Sequence, residues 1–328
     1  MKASVCMILI VFTLVAGVFA QTLNRKYEVT FFSAPPPGQD IWNRPRSVAA
    51  DGKGFIFVIR PSGPPSASIE QTPVLIYNRA GELQKTWGDH LFPDAHSIDF
   101  DSEGFLWISD CDSHMVYKYT RDGKQLMALG KKGVAGDNKS TDTFNGPADV
   151  AITRNGDFFV ADGHYNSRIM HFSKDGKLIK IIGGTKGSGP GEFDVPHAIA
   201  LDSKGRLIIA DEQPAAKNPR IQVLDQNGKF IEQWANVGLK QPTGLTIAAD
   251  DTVYVADTSG NSITVLKDGK VIDVIGALQS RPHNIALDPQ TGVLYFADPP
   301  TAWTSGGLNV KPDAPGGFVK QVIRKKAS

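Results

Sequence analysis

Three histidines occupy the same position in three copies of a repeated unit, and these copies alternate with three copies that lack a histidine there. His96, His197 and His283 are each followed five residues later by an aspartate, and further on by a glycine and a second aspartate. In a closed ring of six units, every second unit is rotated by about 120°, so matched side chains point at one spot on the axis. The alternation therefore predicts three imidazoles that converge on a single point.

Three converging imidazoles with one position left open form the coordination sphere of a catalytic zinc. Such a metal lowers the pKa of bound water or polarises a substrate oxygen. Iron, cobalt and copper also accept imidazole ligands, so the histidines predict a metal site and favour zinc without fixing it.

The repeat explains nearly all of the chain after residue 44. Each unit contains a proline, a short apolar strand, a turn with glycine, a β-branched strand that ends in aspartate, a third strand, an Asp-Gly or Asn-Gly turn and a fourth strand. Four short strands per unit are typical of one propeller blade. The sequence thus predicts an all-β, six-bladed β-propeller over residues 44–328. The six units begin at Pro45, Pro93, Pro147, Pro196, Pro242 and Pro282.

A propeller ring closes when a strand from one terminus completes a blade built by the other. Two segments are candidates, residues 27–32 in the N-terminal segment 21–43 and residues 318–323 near the C-terminus. The pattern does not decide between them.

The first 20 residues have the features of a secretory signal peptide. Lys2 precedes an apolar stretch, and Val18-Phe19-Ala20 resembles a cleavage site of small residues. We expect a secreted or periplasmic protein with no membrane span after the signal is removed. The sequence does not indicate an oligomeric state.

The composition argues against nucleic-acid binding. The 328 residues carry 35 Lys and Arg against 34 Asp and Glu, and the one basic run is the terminal Arg324-Lys325-Lys326. Removal of residues 1–20 leaves Cys111 as the single cysteine, and we expect it to be a small buried side chain rather than a nucleophile.

Two further features lie near the predicted mouth of the channel. The second strand of the first unit ends in Arg60 instead of aspartate, and an arginine next to a metal suits a substrate carboxylate. In the third unit, His164 and Tyr165 follow the strand-ending Asp162, where either could hydrogen-bond or transfer protons.

The units resemble NHL repeats in their spacing and in phrases such as FFVAD, NSRIMHF and KDGK. A metal-binding propeller of this kind is similar to the peptidyl-α-hydroxyglycine α-amidating lyases. That family cleaves a peptidyl hydroxyglycine to a peptide amide and glyoxylate, using a zinc held by three histidines, an arginine, a tyrosine near the metal and a structural calcium.

The resemblance implies specific roles for residues of this chain. His96, His197 and His283 would hold zinc, and Arg60 would bind the carboxylate of a peptide or small-molecule substrate. His164 stands where the family has its tyrosine and is the candidate catalytic group. The calcium would be held by the carbonyls of Val48 and Ile98 and by the residue after the third histidine. That residue is Asn284 instead of the family's aspartate, which predicts weak calcium binding or none.

Two other functions remain open from the sequence. A non-catalytic NHL propeller would bind a protein or carbohydrate partner and would not need its metal to do so. A propeller lactonase or other hydrolase would carry a calcium cage of acidic and amide side chains at the axis, where this chain offers imidazoles.

Overall fold

The computed structural model describes residues 26–34, 36, 44–62, 72–213, 217–276, 278, 280–299 and 317–325. The predicted signal peptide and most of the insertion after Arg60 lie outside the described residues.

The described residues form 24 strands in six four-stranded antiparallel sheets. Each sheet is one blade, which confirms the predicted architecture. The strands are β1 (Tyr27–Phe31), β2 (Ser47–Ala50), β3 (Phe55–Ile59), β4 (Val74–Asn78), β5 (Leu83–Trp87), β6 (Ala95–Phe100), β7 (Leu106–Asp110), β8 (Met115–Tyr119), β9 (Gln125–Gly130), β10 (Asp149–Ile152), β11 (Phe158–Asp162), β12 (Arg168–Phe172), β13 (Leu178–Gly183), β14 (Pro196–Leu201), β15 (Leu207–Asp211), β16 (Arg220–Leu224), β17 (Phe230–Trp234), β18 (Pro242–Ile247), β19 (Val253–Asp257), β20 (Ser262–Lys267), β21 (Lys270–Ile275), β22 (Ile285–Leu287), β23 (Leu294–Asp298) and β24 (Phe318–Arg324).

Both terminal segments take part in closing the ring. Blades 1 to 5 are built from consecutive strands, whereas blade 6 has the order β22-β23-β24-β1. β24 is therefore the third strand of the last blade, and the N-terminal strand β1 is its outermost strand. Val322 of β24 pairs with Val29 of β1 on one side and with Leu294 of β23 on the other. The sequence left two candidates for closure, and the structure uses both.

The inner strands form a closed cycle around the axis. β2, β6, β10, β14, β18 and β22 each contact the next, and β22 contacts β2. Six hydrophobic clusters fill the six gaps between neighbouring blades. In β15, for example, Leu207 and Ile209 pack toward blade 3, while Ile208 and Ala210 pack toward blade 5. Both faces of each blade are thus buried by its neighbours, which is why single blades need the ring.

The aspartate that ends the second strand of a blade fixes the segment leading to the axis. In blade 4, Oδ1 of the buried Asp211 accepts hydrogen bonds from the backbone N–H groups of Asp194 and Val195, both at 3.0 Å. The equivalent Asp257 binds the N–H groups of Lys240 and Gln241 in blade 5. These bonds satisfy backbone donors that would otherwise be buried without partners, so the aspartates hold the start of the inner strand in place in the blades that carry them.

The described residues contain no helix that is long and apolar enough to cross a membrane.

The closing contacts of blade 6 can be tested by shortening a buried side chain. Val322 is 1% exposed and lies in the cluster between blades 5 and 6. Replacing it in Val322→Ala removes two buried methyl groups, and we expect the free energy of unfolding to fall by about 2 kcal/mol in urea titrations. The neighbouring exposed Arg324 is the control, since Arg324→Ala should change the stability by less than about 0.5 kcal/mol. Equal stability of the two variants would contradict closure through β24.

Candidate metal centre

Two of the three histidines lie at the start of inner strands, where the pairing with the second strand is interrupted, whereas His283 lies two residues before β22 and its N–H donates to the carbonyl of Ala297 at 2.8 Å. In blade 2 the register shifts between Ala95 and Ser97, and in blade 4 it shifts between Pro196 and Ala198. His96 and His197 are the bulged residues, and a bulge turns a side chain out of the regular alternation of a strand. Ala95 pairs with Asp110 as Pro196 pairs with Asp211. Ala95 therefore occupies in blade 2 the place that the proline has in blade 4.

His96, His197 and His283 meet on the axis. One ring nitrogen from each lies within 4.8 Å of the others, and all three side chains are buried. The ring centroids are 4.8 Å apart for His96 and His197, 4.9 Å for His96 and His283, and 5.2 Å for His197 and His283. The alternation in the sequence therefore corresponds to convergence in the fold.

Each of these imidazoles is oriented by the following blade. The Nδ1 atoms of His96, His197 and His283 lie 2.8, 2.6 and 3.0 Å from the backbone carbonyls of Ala148, Thr243 and Arg46, respectively. These three acceptors occupy the histidine position in the blades that lack a histidine. Because a carbonyl can only accept, each Nδ1 carries the proton and each Nε2 has a free lone pair. This is the outer-shell arrangement that orients metal-binding histidines.

The environment keeps these imidazoles neutral. Burial lowers the pKa of His96 and of His283 well below the ordinary value, and neighbouring histidines and Arg46 lower both further. Burial also lowers the pKa of His197 to about 4, although its hydrogen bond to Thr243 and the charge of Asp149 oppose the shift. Neutral imidazole is the form that binds a metal, so the donor set fits a divalent ion such as zinc.

His164 joins the cluster as a fourth imidazole. Its Nε2 lies 3.0 Å from Nε2 of His96, and its ring centroid is 4.9 Å from that of His197. Because Nε2 of His96 has a free lone pair, His164 donates this hydrogen bond through its own Nε2–H. Tyr165 is 70% exposed, so His164 rather than Tyr165 faces the axis.

Gly163 allows this approach. A Cβ atom at this position would lie 1.9 Å from the carbonyl oxygen of Pro196, which precedes His197. A side chain there would push the His164 segment of blade 3 away from blade 4.

Two arginines come from blade 1. Arg46 is buried, and its guanidinium binds both carboxylate oxygens of Asp94, with the Nη2 distances 2.8 and 2.9 Å. Its positive charge contributes to the lowered pKa of all four imidazoles. Arg60 is buried where β3 ends, and its Nε donates to the carbonyl of Thr72 at 3.1 Å. Burial lowers the pKa of Arg60 to about 10. The role predicted for Arg60 at a substrate carboxylate stays a prediction.

Glu212 is a site residue that the sequence reasoning missed. It follows Asp211 at the end of β15, and its Oε1 lies 3.7 Å from Nε2 of His197. Its Oε2 accepts a hydrogen bond from Gln241 at 3.2 Å, and Oε1 of Gln241 accepts one from Ser259. Burial raises the pKa of Glu212 to about 7. The sequence does contain a pattern that could have indicated Glu212. Glu212 directly follows Asp211 at the end of a strand, and His164 lies two residues after the strand-ending Asp162.

Further along the axis, a cavity of about 250 Å³ contains the calcium candidate Asn284 together with Asp99 and Asp149. The side-chain oxygen of Asn284 accepts a hydrogen bond from the N–H of Ile285 at 2.6 Å. Burial raises the pKa of Asp99 well above its usual range, and the nearby Asp149 raises it further. Val48 and Ile98 are buried in the inner strands β2 and β6. The sequence reasoning did not foresee the two carboxylates in this cavity.

Comparisons with known proteins show which repeat and which relatives the chain resembles. The model of the NHL repeat family matches residues 144–172. NHL repeat-containing protein 3 of Homo sapiens is 29% identical over 246 residues, which is 69% of each chain. A Caenorhabditis elegans protein named as a probable peptidyl-alpha-hydroxyglycine alpha-amidating lyase is 35% identical over 213 residues, covering 59% of this chain and 56% of that one. The chain thus spans little more than half of the nematode protein.

Among solved structures, a gluconolactonase of Xanthomonas campestris matches with a TM-score of 0.64 and 12% identity, covering 91% of this chain and 90% of the other. At that identity the match shows the propeller fold alone. The chain is thus a six-bladed β-propeller with an NHL repeat at residues 144–172, and it is similar to proteins named as amidating lyases.

The close contact at Gly163 gives a test of how blade 3 reaches the metal centre. In Gly163→Ala the new methyl group would overlap the Pro196 carbonyl, so we expect a loss of about 1–3 kcal/mol in the free energy of unfolding. Gly276→Ala is the matched control, because a Cβ at Gly276 meets nothing within 4 Å. Equal unfolding midpoints for the two variants would show that the two blades are not packed this closely.

Proposed function

We propose that this NHL-repeat propeller is a zinc-dependent carbon–nitrogen lyase of the amidating-lyase type. Its substrate would be an N-acyl-α-hydroxyglycine, either peptidyl or small, and its products an amide and glyoxylate. The observation that carries the proposal is the convergence of three neutral imidazoles whose Nδ1 atoms are all held by carbonyls of the next blade. Zinc held by these three nitrogens would polarise an oxygen of the substrate.

Opposite charges on the two sides of the channel mouth would orient the substrate. Arg46 and Arg60 belong to blade 1, whereas Glu212 belongs to blade 4, and these blades face each other across a six-bladed ring. A substrate carboxylate would be attracted toward blade 1 and repelled by Glu212. The hydroxyl group on the neighbouring carbon would then face blades 3 and 4, where His164 and Glu212 lie.

The reaction needs one proton removed and one supplied. A base takes the proton of the hydroxyl group, the O–H electrons form the carbonyl of glyoxylate, the C–N bond breaks, and the amide nitrogen takes a proton. Glu212 is placed to accept the hydroxyl proton, because its raised pKa of about 7 suits a base near neutral pH. The proton that Glu212 accepts would then pass to the leaving nitrogen, while neutral His164 would hydrogen-bond to the substrate through its Nε2–H.

A calcium ion would support the ring from the cavity below the histidines. Asp99 and Asp149 would supply the carboxylate charge that Asn284 lacks once a cation displaces the proton of Asp99, and oxygen donors of this kind suit a hard cation. Binding there would remain weaker than at a site with an aspartate in place of Asn284.

The enzyme would act outside the cytoplasm. A leading segment with the features of a signal peptide supports a secreted or periplasmic enzyme that meets its substrate outside the cytoplasm.

Metal content is the first test. Purified mature protein should contain one zinc per chain, and His96→Ala should lose it, because His96 belongs to every set of three metal-binding side chains among the described residues. His171→Ala is the control, since His171 lies on β12 and stacks on Phe159 away from the axis. Wild-type protein that stays free of metal in the presence of zinc would refute the proposal.

Glyoxylate release from N-benzoyl-α-hydroxyglycine tests the reaction. We expect activity in the zinc-loaded protein and a fall in kcat of roughly 100-fold in Glu212→Gln, because the amide cannot accept the proton. Glu232→Gln, a change at a half-buried residue of β17 that pairs with Arg206, should leave kcat unchanged. A zinc-loaded wild type that releases no glyoxylate would leave a metal-binding propeller without lyase activity.

A further inference from the structure

A second set of metal-binding atoms lies beside the three-histidine centre. One ligand atom each of His96, Cys111 and His164 lies within 4.8 Å of the other two. His96 and Cys111 are buried, and His164 is half-buried. The set differs from the first because it replaces two imidazoles on the axis with one imidazole and a thiol.

The two sets share one residue, His96. Nδ1 of His96 is held by the carbonyl of Ala148, so Nε2 is the one ligand atom that His96 can offer. That atom lies 3.0 Å from Nε2 of His164. One lone pair binds one metal ion, so a cation bound with Cys111 and His164 would take His96 away from the three-histidine centre.

Cys111 is held in place by the backbone of two neighbouring segments. It follows Asp110 at the end of β7, and its N–H donates to the carbonyl of Asp94 at 3.1 Å. Its Sγ lies 3.4 Å from the carbonyl of Pro147 and donates to it, and it is not part of a disulfide. Burial raises the pKa of Cys111 well above its usual value, and the charge of Asp94 raises it further. The thiol therefore keeps its proton until a cation replaces it.

We infer that His96, Cys111 and His164 form a second binding position for a thiophilic cation, such as copper(I), that competes with the three-histidine centre. The thiol proton leaves to solvent, the sulfur forms a bond to the cation, and His164 presents the lone pair of Nε2 after its proton moves to Nδ1. No electron is transferred. A thiolate with two imidazoles selects softer metals than three imidazoles do.

This inference does not require lyase activity, since it depends only on the arrangement of the three side chains. It does give the proposed enzyme a means of inhibition. A soft cation at the second position would occupy His96 and lower the affinity of the three-histidine centre for zinc.

Cobalt(II) is a suitable probe, because a cobalt–thiolate bond gives an intense near-ultraviolet charge-transfer band that cobalt–imidazole bonds do not give. The experiment uses His197→Ala, in which the three-histidine centre is disabled while Cys111, His96 and His164 remain. We expect this variant to bind one cobalt per chain with the charge-transfer band. Adding Cys111→Ser to it should abolish the band and weaken cobalt binding at least tenfold.

Controls separate this result from misfolding and from the lyase proposal. Circular dichroism and the unfolding midpoint of each variant verify the fold, and Cys111→Ala replaces Cys111→Ser if the serine variant does not fold. His197→Ala that binds no cobalt, or binds it without the band, would overturn the inference. Neither outcome depends on the zinc content or glyoxylate release of the wild-type protein.

Discussion

The hydrogen bonds from the three Nδ1 atoms to the carbonyls of Ala148, Thr243 and Arg46 are the contacts on which the site depends. Each bond crosses from one blade to the next, so the orientation of every imidazole is set by its neighbouring blade. Arg46 shows the coupling most clearly. Its carbonyl orients His283 of blade 6, while its guanidinium binds Asp94 of blade 2. The three imidazoles therefore have the orientation needed to bind a metal only if the ring is closed, and a bound metal would in turn stabilise the closed ring.

The six blades share a fold but carry different charged residues, so opposite sides of the ring are not equivalent. Blade 1 contributes Arg46 and Arg60, blade 3 contributes His164, and blade 4 contributes Glu212. Three of the six equivalent positions carry the converging histidines, and the residues around them would distinguish the two ends of the proposed substrate. The structural aspartates, such as Asp211, are repeated in blades 2 to 6 because they fix the start of the inner strand there. The functional residues vary because a substrate has no six-fold symmetry.

The sequence predicted the fold because its signals are local and repeated. Strand patterns, Asp-Gly turns and the six-fold register each specify a blade, and His96, His197 and His283 follow from that register. Ring closure was left open because Tyr27–Phe31 and Phe318–Arg324 are single strands whose pairing is set over nearly the whole chain. The sequence did not indicate Glu212, Asp99 and Asp149, because each joins a site only through contacts with side chains of other blades. The pairing of Arg46 with Asp94 could not be inferred from sequence spacing, because it joins side chains of two blades.

The central claim is that a metal bound by His96, His197 and His283 carries the chemistry of this propeller. A crystal structure of the zinc-loaded protein, with anomalous data collected on both sides of the zinc absorption edge, tests it most directly. The account predicts one strong anomalous peak on the propeller axis, about 2.1 Å from the three Nε2 atoms. A structure whose three imidazoles bind no zinc, or whose zinc is bound elsewhere, would contradict it.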